Sequence, residues 1–153
     1  MDAPNIHATA VLIGERGLLV TGPSGAGKTA LALALVSRFC GLGLFCRLVA
    51  DDQLLVCGHG GRLVCRAPAA IAGLAEVYGI GPQKLSFAPA AVIDLVARLV
   101  PAAQMPRLQP EATQTIAGCV LPRLDLPARD VVSALPAVAA RLGLGPLGQA
   151  RQV

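Results

Sequence analysis

The sequence predicts an α/β domain with a mixed sheet, and three observations predict it. Short β-rich runs come in pairs around glycine turns. A glycine loop, "GPSGAGKT" at 22–29, stands between one such run and a stretch of Ala and Leu of helical length. A third apolar run ends in the acidic pair Asp51-Asp52. Strand-length and helix-length apolar segments that alternate within 153 residues point to one domain with its own core.

The elements follow in order. "HATAVLI" and "RGLLVTG" read as a hairpin across a turn at 14–17, leading into the loop. Lys28 to Phe39 reads as a helix, stopped by Gly41 and Gly43. "LFCRLVA" has strand length. "QLLVCG" and "RLVCRAP" flank His59-Gly60-Gly61 and predict a second hairpin. Pro68 to Val77 reads as a connector or short helix, and "AAVIDLVARLV" begins as a strand. Residues 101–130 are rich in proline, with one short segment, "TIAGCVLPRL". "VVSALPAVAARLG" predicts a closing helix interrupted at Pro136. A single domain is expected over 1–145, with a loose tail at 146–153.

Composition excludes several classes. At 54% hydrophobic and 14% charged the chain is too apolar for disorder. Aromatics are 3% with no Trp, so Leu, Val, Ala and Ile must fill the core. The most apolar window, Ala30 to Ala50, is broken by Arg38, Gly41, Gly43 and Arg47, which argues against a membrane span. Net charge is +4, but the arginines are scattered, which argues against nucleic-acid binding. Five cysteines make an odd count with no CxxC pair, so neither a zinc site nor a disulfide framework is indicated. Cys57 and Cys65 could face each other across a hairpin, but reduced thiols in a cytoplasmic protein are the simpler expectation.

The loop has the spacing G-x-x-x-x-G-K-[ST]. Gly22, Pro23, Ser24, Gly25, Ala26 and Gly27 let the backbone curl so that N–H groups converge on phosphate oxygens. The helix that follows adds unpaired N–H groups and its positive dipole end. Lys28 has the reach for β- and γ-phosphates, and the Thr29 hydroxyl suits a Mg²⁺ shell. Asp51 and Asp52 stand at a strand's C-terminal end, where α/β sheets gather ligands. Adjacent carboxylates on an extended chain point apart, so one suits the metal and the other a hydroxyl nucleophile. No guanine-reading NKxD stretch, DxxG switch or arginine-rich lid accompanies the loop.

The order His7, hairpin, "GPSGAGKT", "RLVADD" at 47–52 and "AEVYGIG" at 75–81 resembles the catalytic domain of HPr kinase/phosphorylase. That family carries an R-L-[VI]-A-D-D stretch and a segment like LEIRGLGI. The resemblance covers roughly residues 5–130. It implies a P-loop kinase domain resembling phosphoenolpyruvate carboxykinase. It implies transfer of phosphate from ATP to a serine of the carrier protein HPr, often with reversal by inorganic phosphate, and a homo-hexamer. By the same resemblance Lys28 binds phosphates, and Thr29, Glu76 and Asp51 make the metal site, with Asp51 also supporting the catalytic centre beside Asp52. Asp52 takes the serine proton, His7 lies near the transferred phosphate, and Arg107 matches a later active-site arginine. Arg129 resembles the start of a P-V-R-P-G-R loop used against phosphoserine.

The sequence also departs from the family. The family's usual N-terminal domain has no counterpart before the loop at residue 22, as in a short form of the enzyme. Tyr78 replaces an arginine, and Asp130-Val131 stand where Gly-Arg is expected. A P-loop kinase or ATPase with another substrate, and an ATP-sensing module, remain open on the residues alone.

Overall fold

The computed structural model describes residues 3–144. The expected tail at 146–153 lies outside the described residues. The strands are β1 Asn5–Ile6, β2 Thr9–Ile13, β3 Arg16–Thr21, β4 Cys46–Ala50, β5 Leu54–His59 and β6 Arg62–Arg66. They continue with β7 Leu74–Val77, β8 Gly81–Lys84, β9 Ala91–Val100, β10 Ala112–Ile116 and β11 Cys119–Pro127. The helices are α1 Lys28–Gly41 and α2 Val131–Leu142.

Nine strands form one curled mixed sheet, and β7 with β8 forms a separate ribbon. The ten-residue β9 is the axis. It runs parallel to β3 on one side, and on the other it pairs with β6 near its start and β11 near its end. The β3 register shifts between Gly17↔Ile93 and Leu18↔Leu95. Asp94 falls in that shift, and its Oδ2 accepts from the Gly17 N–H at 2.9 Å. Leu95, Val96 and Ala97 are consecutively buried, as a strand covered on both faces requires.

One core lies between the sheet and the two helices, with Leu31, Leu35 and Phe39 of α1 against Val20, Leu48 and Leu99. The other has no helix in it and is lined chiefly by strand residues, with Leu19, Val49, Leu54, Leu63 and Ile93.

Several expectations are corrected. Leu74–Val77 is a strand, not a connector, and pairs with Gly81–Lys84. The proline-rich stretch holds a full hairpin, β10 with β11, closed by Ala117-Gly118 at positive φ. Pro136 does not interrupt α2; it sits on the exposed side, where the carbonyl it leaves without a donor is open to solvent. Cys57 and Cys65 do not face each other: Cys57 pairs with Val64, and Cys65 with Val56. All five cysteines are free. No helix among the described residues is long and apolar enough to cross a membrane.

Candidate active site

Strand directions gather the site at one end of the sheet. β2 is antiparallel to both β3 and β4, so the start of β2 meets the ends of the other two, with Thr9↔Val20 and Ala10↔Ala50. β11 runs with β9 and β3, so its C-terminal end arrives at the same edge. Arg98 of β9 holds Asp125 of β11 through two bonds of 2.9 and 2.8 Å. Residues 7, 9, 22–29, 51–52 and 129 therefore converge despite their distance along the chain.

The loop between β3 and α1 needs its glycines. Gly25 and Gly27 have φ of 81° and 95°, and Gly22 has 150°. A Cβ on Gly22 would sit 3.1 Å from that of Leu99. The Ala26 N–H closes the turn onto the Pro23 carbonyl at 3.1 Å. α1 starts at Lys28 with no side-chain cap, which leaves its first N–H groups available to an anion. Lys28 is buried, and its Nζ donates to the Gly22 and Pro23 carbonyls at 2.9 and 3.1 Å.

Asp51 and Asp52 do different things. Asp51 is buried and accepts three hydrogen bonds. The Thr29 and Thr9 hydroxyls donate to its Oδ1 at 2.7 and 3.0 Å, and the Glu76 N–H donates to its Oδ2 at 3.0 Å. Asp52 turns away through a left-handed backbone, φ 69°, rather than through strand alternation. Its N–H donates to Thr9 Oγ1 at 3.2 Å, and its exposed carboxylate is hydrogen-bonded to His7 Nε2. Thr9 thus brackets both acids. The sequence reading missed it, although its signal was present: a polar residue two positions after His7, on a strand that is otherwise apolar.

A cavity of about 1130 Å³ opens over the loop, walled by Lys28, Thr29, Asp51, Asp52, Glu76 and Arg129. Its far wall is the β7–β8 ribbon, with Leu74, Tyr78 and Pro82. Arg129, at φ 59°, donates from its backbone N–H to the Ala26 carbonyl at 3.0 Å and from Nε to the Gly25 carbonyl at 2.8 Å. His7 reaches the cavity through Asp52. Arg107 is exposed in the loop before β10 and is not part of the cavity wall.

No three His, Cys, Asp or Glu side chains cluster as a metal site among the described residues. A Mg²⁺ ion shared with phosphates needs only one or two protein ligands, so the Thr29 hydroxyl and the Glu76 carboxylate fit that donor chemistry.

The HPr Serine kinase C-terminal domain family model matches residues 2–134, which include every residue of this site. The chain belongs to this family. HPr kinase/phosphorylase of Limosilactobacillus reuteri (strain DSM 20016) is 34% identical over 137 residues, covering 82% of this chain and 41% of the relative. That of Clostridium beijerinckii is 37% identical over 76 residues, half of this chain and 23% of the relative. The chain thus spans about two fifths or less of these relatives' length. The HPr(Ser) kinase/phosphatase structure from Coxiella burnetii matches with a TM-score of 0.74 and 26% identity, over 91% of this chain and 97% of that one. The curled mixed sheet is therefore the arrangement of an HPr kinase structure.

Proposed function

We propose that this chain is an ATP-dependent serine kinase whose substrate is an HPr-like phosphocarrier protein. The observation that carries the reading is the position of Asp52. It stands at the rim of a phosphate-loop cavity, turned from buried Asp51 and bonded to His7. A carboxylate so exposed can meet a hydroxyl presented by another protein.

Gly22 to Thr29 cradle the ATP phosphates, with Lys28 as the cation. Thr29 and Glu76 would hold Mg²⁺, which supplies charge neutralisation on the phosphates. Asp51 acts on that site through Thr29, because both its oxygens already accept from protein donors. By donating its proton to Asp51, the Thr29 hydroxyl keeps its lone pairs turned outward. Asp52 orients the incoming serine hydroxyl and accepts its proton as the new O–P bond forms and the bond to the β-phosphate breaks, releasing ADP. His7 fixes the Asp52 carboxylate. Arg107 has no part in this reading.

The relatives' names join kinase to phosphorylase. The same residues run backwards would return a proton from Asp52 to serine as inorganic phosphate takes the phosphoryl group. With this activity goes a P-loop kinase domain of the phosphoenolpyruvate carboxykinase kind over 1–145, in a cytoplasmic homo-hexamer.

The test is incubation with [γ-³²P]ATP, Mg²⁺ and HPr from the same cell, with Lys28→Ala as control. Label on an HPr serine, lost in the control, is the expected result. ATP turnover with HPr left unlabelled would refute the assignment of substrate.

A further inference from the structure

Arg129 is one of three described non-glycine residues with positive φ. Another, Ala117, is accounted for by a tight hairpin turn. The third, Asp52, belongs to the site. A left-handed backbone is disfavoured for arginine, so it persists only where surrounding bonds over-determine it.

Those bonds are present on both sides. The Ala128 N–H donates to the Val100 carbonyl at 2.7 Å, which fastens the end of β11. Asp130 caps α2, with Oδ1 accepting from the Ser133 N–H at 3.0 Å. Between these anchors Arg129 takes the Gly25 and Ala26 carbonyls, one through Nε and one through its backbone N–H. A trans peptide whose carbonyl faces Arg129 sends the next N–H the other way. The Ala26 carbonyl is held, and the Gly27 N–H on the same peptide has no protein acceptor among the described residues. Both Gly27 and Arg129 line the cavity.

We infer that Arg129 is a positioning residue for nucleotide: it clamps the loop's outer carbonyls, so that the Gly27 N–H is preset for phosphate. The inference rests on the nucleotide-binding part of the proposed function. The clamp acts through a hydrogen bond, not through charge.

Three variants test this. Arg129→Gly removes the Nε bond to the Gly25 carbonyl, keeps the backbone bond to the Ala26 carbonyl and suits the backbone φ, so thermal stability without nucleotide holds or rises. Its affinity for Mg-ATP, by calorimetry, falls up to roughly tenfold, the scale of one ordinary hydrogen bond. Arg129→Gln places an uncharged N–H the same number of bonds from Cα as Nε, and recovers most of the affinity. Arg129→Ala loses both affinity and stability.

ATP affinity in Arg129→Gly equal to that of the unaltered chain would mean the backbone bond alone holds the loop, and overturns the Arg129 side chain as a positioning group. Equal weakening in the Gln and Gly variants also overturns it, because the arginine would then act by charge on the phosphates. If the unaltered chain fails to bind ATP, the clamp and the nucleotide reading fall together.

Discussion

Thr9→Val is the most informative substitution at the sheet end. Thr9 is fully buried and valine has its shape, so the change removes hydrogen bonds without opening a cavity. Two bonds go: Thr9 Oγ1 to Asp51 Oδ1 at 3.0 Å, and the Asp52 N–H to Thr9 Oγ1 at 3.2 Å. The first involves a carboxylate and is worth about 1.5–3 kcal/mol; the second is worth about 1 kcal/mol. The added methyl returns about 0.8 kcal/mol of burial. The net loss is about 2–3 kcal/mol. At ~2–4 °C per kcal/mol for a chain of this size, Tm should drop by about 4–12 °C. Phosphotransfer should fall as well, because Asp52 loses the tie that holds its left-handed backbone. Asp51 keeps Thr29 and Glu76, so ATP affinity should change less than turnover. Differential scanning calorimetry and the labelled-HPr assay measure the two effects, with Thr9→Ser as the variant that keeps the hydroxyl. A valine variant with unchanged Tm and unchanged transfer would refute the bracket.

Three other outcomes are expected. Asp52→Asn should bind ATP normally in calorimetry and lose at least about a hundredfold in transfer, the scale of a general base; transfer at the native rate would remove Asp52 from that role. Gly17→Ala should cost more than about 3 kcal/mol in urea unfolding, because the new Cβ would lie 2.1 Å from the Val92 carbonyl oxygen, which is backbone. Burial pushes the Cys46 and Cys65 thiols from 9.0 up to about 12. The folded chain keeps these protons where the unfolded chain releases them, so their contribution is whole below pH 9 and drains away toward pH 12. Tm should therefore fall more steeply above pH 9 in the native chain than in Cys65→Ala, and parallel curves would contradict it.

The first hairpin and α1 were legible because local signals agreed with the fold. Gly43, past the helix, has φ 83° and ends it as a glycine stop should. The β7–β8 ribbon was hidden because "GPQK" has almost no strand propensity. Tertiary ties impose it: the Glu76 N–H on Asp51, and the Leu85 N–H on the Gly73 carbonyl at 2.7 Å. Pro122 disguised β11, yet it lies just before Arg123, where pairing with β9 begins, and so breaks no bond to the central strand. Within the site, the glycine loop and the acid pair could be read from spacing. Thr9 left a signal, a polar residue in an apolar strand, and Arg129 a resemblance, but neither showed its hydrogen bonds, whose partners lie 42 and 104 positions away.

The long separation between Gly25 and Arg129 also bears on synthesis and folding. Closing a loop of that size carries a large entropic cost and is repaid only after β9 and β11 have paired beside β3. A nascent chain that has emerged as far as α1 has its glycine loop but not the strand that fastens it. Until residue 129 has been made and docked, the cradle has no outer support, so a half-made or nicked chain would be a poor nucleotide binder. Under the proposed reading, nucleotide binding would thus appear late in synthesis, as a by-product of sheet order.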